Sequence, residues 1–405
     1  MNRIAESYVR LVLAVGQHDP DYVDAYYGPV EWQHEAASAK KPLEAIATQA
    51  SALLVDLRHF ETSSSEEIIR LRKSYLEGQL RSLIARTEIL EGHQFSFDDE
   101  AKALYDAEPP HYSAEHFEGI LRQVNGLLEG PGTPIQRYDE YRKQFVIPVQ
   151  KLDTVYSAAI AECRARTAQH IELPAEESFK VEYVTNKPWS GYNWYKGNGY
   201  SVIQVNTDLP ITIDRAIDLA AHEGYPGHHV YNALLEQHLA KGRKWAEFTV
   251  YPLFSPQSLI AEGTANFGIE VAFPGNERLA FEQETLFPLA GLDPSLAEEY
   301  DKVFDLVSKL GYAGNEAARG YLDGRMSKES AVEFLMNFAL MPKERAEQRV
   351  RFFDKYRSYV INYNLGLDLV RQYIERRGGT PHNPSKRWEE FKILISSPRL
   401  PSSLK

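Results

Sequence analysis

The stretch His222-Glu-Gly-Tyr-Pro-Gly-His-His229 decides how this chain is read. It gathers three of the twelve histidines and a glutamate into one short run. The residues before it, Pro210-Ile-Thr-Ile-Asp-Arg-Ala-Ile-Asp-Leu-Ala-Ala221, predict a helix. Ile213, Ala216, Ile217 and Ala220 recur at helical spacing, and Thr212 or Asp214 is placed to cap the first amides. Pro226 and Gly227 then break it. Proline has no N–H to return to the carbonyl of His222, and its ring crowds that carbonyl. Glycine accepts backbone angles that other residues avoid.

Position 226 is proline, so the HExxH helix, with imidazoles at i and i+4 and a glutamate base beside them, is absent. Two ring nitrogens on one tetrahedral zinc must lie roughly 3.3 Å apart. On a straight helix His229 would be displaced by about 10.5 Å along the axis, and His228 would point about 120° away. A Pro-Gly bulge extruding two residues would bring His228 into the vacated i+4 place. His222 and His228 are therefore the expected pair of metal ligands, with His229 the alternative to His228. A carboxylate at Glu262, in Leu259-Ile-Ala-Glu-Gly-Thr-Ala-Asn-Phe-Gly-Ile-Glu-Val-Ala-Phe273, sits among apolar residues where it needs a metal or an arginine. Asn266 is placed to hold a ligand from behind, and Glu270 is the rival carboxylate.

The motif resembles the His-Glu-x-x-Pro-Gly-His-His signature of a large, mostly bacterial domain-of-unknown-function family, number eight-eight-five. That family is placed by similarity among gluzincin-type zinc metallopeptidases. The resemblance implies two histidines and a downstream glutamate on zinc, with the Glu after the first His (here Glu223) as general base. The dipeptidyl-peptidase III family similarly lengthens its motif to HExxGH without losing the metal. The family's second hallmark is Glu-Gly-Trp-Ala; here Glu262-Gly-Thr-Ala265 keeps the glutamate and has Thr264 for Trp. Its closing Tyr-Lys-x-Gly reads Tyr363-Asn-Leu-Gly366, without the lysine. By that resemblance Tyr363 is the expected phenol donor to an oxyanion. Arg351, Arg357 and Arg371 could each anchor a substrate carboxylate, and His382 is a further donor.

The 405 residues are enough for two or more subdomains. The expected division is a helical cover over residues 1–170 and a catalytic region over 171–405. Within the latter we expect a small sheet at 178–206, metal-binding helices at 212–272 and a helical part at 294–396. The fold class is mainly α with a small antiparallel β-sheet, in gluzincin-like architecture. In the first part, Asp21–Pro29 is expected as a short helix, Ser63-Ser-Ser-Glu-Glu67 as the cap of a long helix to about Glu91, and Ile135 to about His170 as one helix. Later, Pro342 to about Arg376 is expected as another. Ser178-Phe-Lys-Val-Glu-Tyr-Val-Thr185 alternates as a strand, and Asn193–Asn206 reads as a hairpin turning at Gly197-Asn-Gly199. Its strands either add an extended substrate to their edge, as in gluzincins, or merely pack on the helices.

A net charge of −12 argues against nucleic acid or an anionic membrane as partner. One cysteine, Cys163, excludes an internal disulfide framework and fits a reducing compartment. No apolar run approaches membrane-spanning length, and the first residues carry an early acid and no signal-peptide core, so a cytoplasmic location is expected. The sequence thus points to a zinc-dependent hydrolase of short peptides or small-molecule amides. The alternative is a helical binding protein with a structural metal or none.

Overall fold

Residues 1–61 and 66–405 are described by the computed structural model, which is mostly helical with two small sheets. The expected cap at Ser63–Ser65 lies outside the described residues; the long helix itself runs Glu67–Leu90. One apolar core takes side chains from the first helix, Asn2–Val15, through to Leu404. A smaller cluster forms around Phe117, Val303 and Leu310.

Asp21–Pro29 is not a helix. Val23–Tyr26 is a strand, β1, and the bulk of its backbone pairing is supplied from far along the chain. The antiparallel partner, Val250–Pro252, gives branched and aromatic neighbours whose pairing overrides local helical preference. The expected helix over Ile135–His170 is two, Pro134–Lys143 and Leu152–Ala168. Between them the chain is extended: the Ile147 amide donates to the Ile211 carbonyl and the Ile213 amide to that of Phe145, both at 2.9 Å. This pairing delays the motif helix to Asp214, where no side chain caps it; the Asp214 carboxylate accepts from Tyr300 at 2.5 Å.

The second sheet has Ser178–Val184 (β2), Gly191–Tyr195 (β3) and Tyr200–Asn206 (β4) in the order β2-β4-β3. β3 and β4 form the expected hairpin, with Gly197, Asn198 and Gly199 all at positive φ in the turn. β2, however, joins β4 in parallel, so the sheet is mixed, not purely antiparallel. The 191–195 strand supplies the crossover that lets β2 and β4 run the same way. β2 and β3 are left as the outer strands. The hairpin turn is tied to the helix beyond the motif, because Glu236 accepts from the Tyr195 hydroxyl and from the Asn198 amide at 3.0 Å.

The expected helix Pro342–Arg376 is broken. Lys343–Tyr356 ends at Arg357, a non-glycine residue at φ 51°, and Ile361–Arg376 starts after one 3₁₀ turn. Buried Glu100 holds this break: Oε2 accepts from Arg357 Nε at 2.6 Å, and Oε1 from the Ser358 amide at 3.1 Å and hydroxyl at 2.6 Å. A long-range carboxylate thus fixes a backbone angle that periodicity gives no sign of.

Candidate metal centre

The motif helix widens before it stops. Asp214–Leu219 is α-helical, and Ala220–Gly224 has π-helical geometry. The Tyr225 amide then reaches the Ala220 carbonyl at 3.0 Å, and the Gly227 amide reaches that of Ala221 at 2.9 Å. Extra residues are accommodated in the turn, as in the π-bulges that recur at functional sites. The Tyr225–Pro226 peptide is cis. Gly227 can be nothing larger, because a Cβ there would stand 1.9 Å from the His222 carbonyl oxygen. The helix resumes at His228–Leu235.

This bulge carries His228 to His222. Their Nε2 atoms lie 3.1 Å apart, close to the separation that two imidazoles on one tetrahedral ion require. Glu262, on the buried helix Pro256–Ala272, completes the group: its Oε2 is 3.2 Å from His222 Nε2 and 3.6 Å from His228 Nε2. That oxygen is buried and has no hydrogen-bond donor among the described residues, while Oε1 accepts from the Tyr359 hydroxyl at 2.7 Å. A buried acceptor left over and facing two imidazole nitrogens is what a bound cation would satisfy. Two nitrogens and one carboxylate oxygen suit zinc with an open fourth position. The residues present therefore fit a divalent ion.

Of the alternatives, His229 is fully buried elsewhere, between the Ser201 hydroxyl at 2.8 Å and Glu177 at 3.0 Å, where it fastens the sheet to the motif. Glu270 is bound by Arg371. Asn266 stands behind the ligands as expected: its Oδ1 is 2.9 Å from His222 Nδ1, and its amide donates to the Tyr363 carbonyl at 3.1 Å. With the oxygen accepting, Nδ1 carries the proton of the neutral His222 ring, and that form leaves Nε2 free for a metal.

Charges in the group lean on one another. Burial alone would lower the His222 imidazole, but its contacts with Glu262 and the charges of Glu223 and Glu262 push it up to about 9. Burial opposes ionisation of Glu262 as well, yet the two imidazoles hold its carboxyl well below the usual range. Burial raises Glu223 above its ordinary value, with the imidazoles pulling the other way.

The group opens on a cavity of about 290 Å³ lined by Glu223, Tyr363, Tyr192, Asp24, Arg215 and Arg349, among others. β3 forms one wall. Gly191 makes room for Glu223, since a Cβ there would lie 2.9 Å from Glu223 Oε1. Asn193 donates to the Glu223 carbonyl at 2.7 Å. Burial, followed by the Glu262 charge, raises the Tyr363 phenol well above its usual range and keeps it protonated.

The two departures from the family motif fall outside this cavity. Thr264 is buried and bonds back to its own helix at the Ile260 carbonyl, 2.8 Å. Asn364 donates to the Gly311 carbonyl at 3.0 Å and to Asn315 at 3.1 Å. Of the expected carboxylate anchors, Arg357 is engaged by Glu100, Arg371 by Glu270 and Asp368, and Arg351 is exposed. None of these lines the cavity, nor does His382. Arg349, Arg215, Asp24 and Tyr359 line it instead. The spacing of Tyr359 one helical turn before Tyr363 is the one signal by which sequence could have found any of them.

No family model matches the chain, and no curated protein does, so the family resemblance rests on the motif residues. Among solved structures, a "putative lipoprotein" from Colwellia psychrerythraea is similar at 14% identity with a TM-score of 0.54, over 92% of this chain and 70% of that one. A "putative lipoprotein of unknown function" from Shewanella oneidensis has 13% identity and a TM-score of 0.49, over 93% and 78%. Trypanosoma cruzi metallocarboxypeptidase 1 has 13% identity and a TM-score of 0.43, over 96% and 89%. The first of these likenesses is one of fold. Among the described residues, no helix is long and apolar enough to cross a membrane.

Proposed function

We propose that this protein is a zinc-dependent hydrolase that cleaves amide bonds of short peptides. The observation that carries the reading is the convergence of His222, His228 and the unsatisfied Oε2 of Glu262 beside Glu223, at the floor of a cavity. His222, His228 and Glu262 would hold the ion. A zinc ion there supplies Lewis acidity, lowering the pKa of water toward about 7 and polarising a carbonyl.

Glu223 takes the proton of the attacking water and delivers it to the leaving amine. Its burial supports this, because a carboxylate raised toward neutrality is a better proton carrier at working pH. Tyr363 donates its phenolic proton to the developing oxyanion without giving it up. Asn266 keeps His222 in the tautomer that ligation needs. Outer strand β3 offers an extended substrate backbone a partner along the cavity wall.

The reading is tested by incubating zinc-loaded protein with a dipeptide and tripeptide library, with and without chelator, beside Glu223→Gln. Cleavage that chelator abolishes, and that Glu223→Gln loses while keeping its zinc, is the expected result. Undiminished cleavage by Glu223→Gln would show that the base is another group.

A further inference from the structure

Two arginines line the cavity, and they differ in kind. Arg215 is already matched, with Nη1 at 3.2 Å from Asp218 and Nη2 at 3.3 Å from the Ser190 hydroxyl. Arg349 is not. Its Nε is buried without an acceptor, and among the described residues nothing accepts a hydrogen bond from the rest of its guanidinium or pairs with its charge. Its neighbours are ring faces: Phe352, Tyr363 and Phe353 at 4.8, 5.5 and 5.7 Å from Cζ. Such contacts hold the plane of the guanidinium, but they cannot receive its five N–H donors.

A half-buried guanidinium whose Nε has no acceptor is costly to leave without an anion. Three buried arginines of this chain avoid that cost: Arg72 has Glu247, Arg86 has Asp19, and Arg319 has Asp98 and Glu316. Arg349 stands on the cavity face of Lys343–Tyr356, one turn before Phe352 and two before Tyr356, which also line the cavity. It is near enough to Glu262 and Tyr363 for both to act on its charge. A carboxylate matches a guanidinium fork with two parallel hydrogen bonds, better than any neutral group does.

We propose that Arg349 anchors a free carboxylate of the substrate, so that this enzyme prefers short peptides with an unblocked carboxyl terminus over the same peptides as amides. The substrate class follows from the hydrolase reading above; the anchor itself is a matter of binding. Among the described residues no hydrogen bond or ion pair joins Arg349 to His222, His228 or Glu262, so its contribution falls on recognition.

The test compares matched free-acid and C-terminal-amide forms of dipeptides and tripeptides. For the zinc-loaded parent, kcat/KM for the acid should exceed that for the amide by on the order of 10- to 100-fold. In Arg349→Gln that ratio should fall to near one, carried mainly by KM. Arg349→Lys, which keeps the charge without the fork, should give an intermediate ratio and serves if the Gln variant does not fold. Equal cleavage of acid and amide by the parent would overturn the anchor and leave the hydrolase reading standing. Should the parent cleave neither form, the hydrolase reading fails, and calorimetry with the Glu223→Gln protein decides the anchor separately. Tighter binding of the acid, lost on adding Arg349→Gln, supports it; equal or undetectable binding of both forms overturns it.

Discussion

Gly263 and Gly366 meet backbone to backbone. A Cβ on Gly263 would lie 2.4 Å from the Gly366 carbonyl oxygen, and one on Gly366 would lie 2.8 Å from that of Leu259. Each follows a cavity residue, Glu262 directly and Tyr363 three positions on. This contact sets the spacing at which Tyr359 reaches Glu262 and Asn266 spans from His222 to the Tyr363 carbonyl. The glycines of the two motif strings thus serve a helix crossing, with the functional side chains disposed around it.

Alanine at either position must therefore part the two helices. We expect Gly263→Ala and Gly366→Ala each to lower unfolding free energy by about 1–3 kcal/mol, the usual cost of overpacking. Zinc affinity should weaken as well, because the carboxylate moves with its helix. Urea unfolding and zinc titration check both, and a variant indistinguishable from the parent would mean that the crossing has slack.

Asn266→Ala should weaken zinc binding by about 10- to 100-fold while the fold persists, since it removes the partner that fixes the His222 ring. Competition titration against a chromophoric chelator measures it. Unchanged affinity would show that His222 is oriented by packing alone.

Glu100→Ala strips three hydrogen bonds from the turn at Arg357 and Ser358 and leaves the half-buried Arg357 guanidinium unmatched. A loss of about 2–3 kcal/mol is expected, since the guanidinium left behind is partly solvated. Activity should fall further than stability explains, because the turn aims Tyr359 and Tyr363. Denaturation and steady-state rates on the folded fraction separate the two effects.

Much of the site was legible in the sequence. The Pro-Gly interruption, set against the reach of zinc ligands, led to His228 over His229, and the Glu-Gly-x-Ala resemblance, with an isolated carboxylate in an apolar helix, led to Glu262. The β3–β4 hairpin followed from Gly-Asn-Gly. What stayed hidden depends on partners distant in the chain. β1 is a strand because residues near 251 pair with it, and the break at Arg357 exists because Glu100 bonds there. Arg349 differs from Arg351 in the face of its helix, which for Arg349 lines the cavity and for Arg351 is exposed, and the cavity that marks this face is built from elements distant in the chain.

Asp24 gives a pH signature. Burial pushes its carboxyl up to about 6, although Tyr192 donates to it. The folded value lies above the unfolded one near 3.9, so between these values the folded state binds more protons than the unfolded state. Its contribution to stability therefore declines as pH rises from about 4 to about 6, and is level above that. Asp24→Asn removes the decline, so the unfolding free energy of the variant minus that of the parent should grow by about 2 kcal/mol across this window. Chemical denaturation at several pH values measures the difference, and a constant one would contradict the assignment.

The central claim is that the bulge at Pro226-Gly227 brings His222, His228 and Glu262 around one ion. Anomalous diffraction at the zinc edge, from crystals of the zinc-loaded protein, tests it most directly. The account predicts a single strong peak about 2.0–2.2 Å from the Nε2 atoms of His222 and His228 and from a carboxylate oxygen of Glu262. A peak bound instead by His229, or none among these side chains, would contradict it.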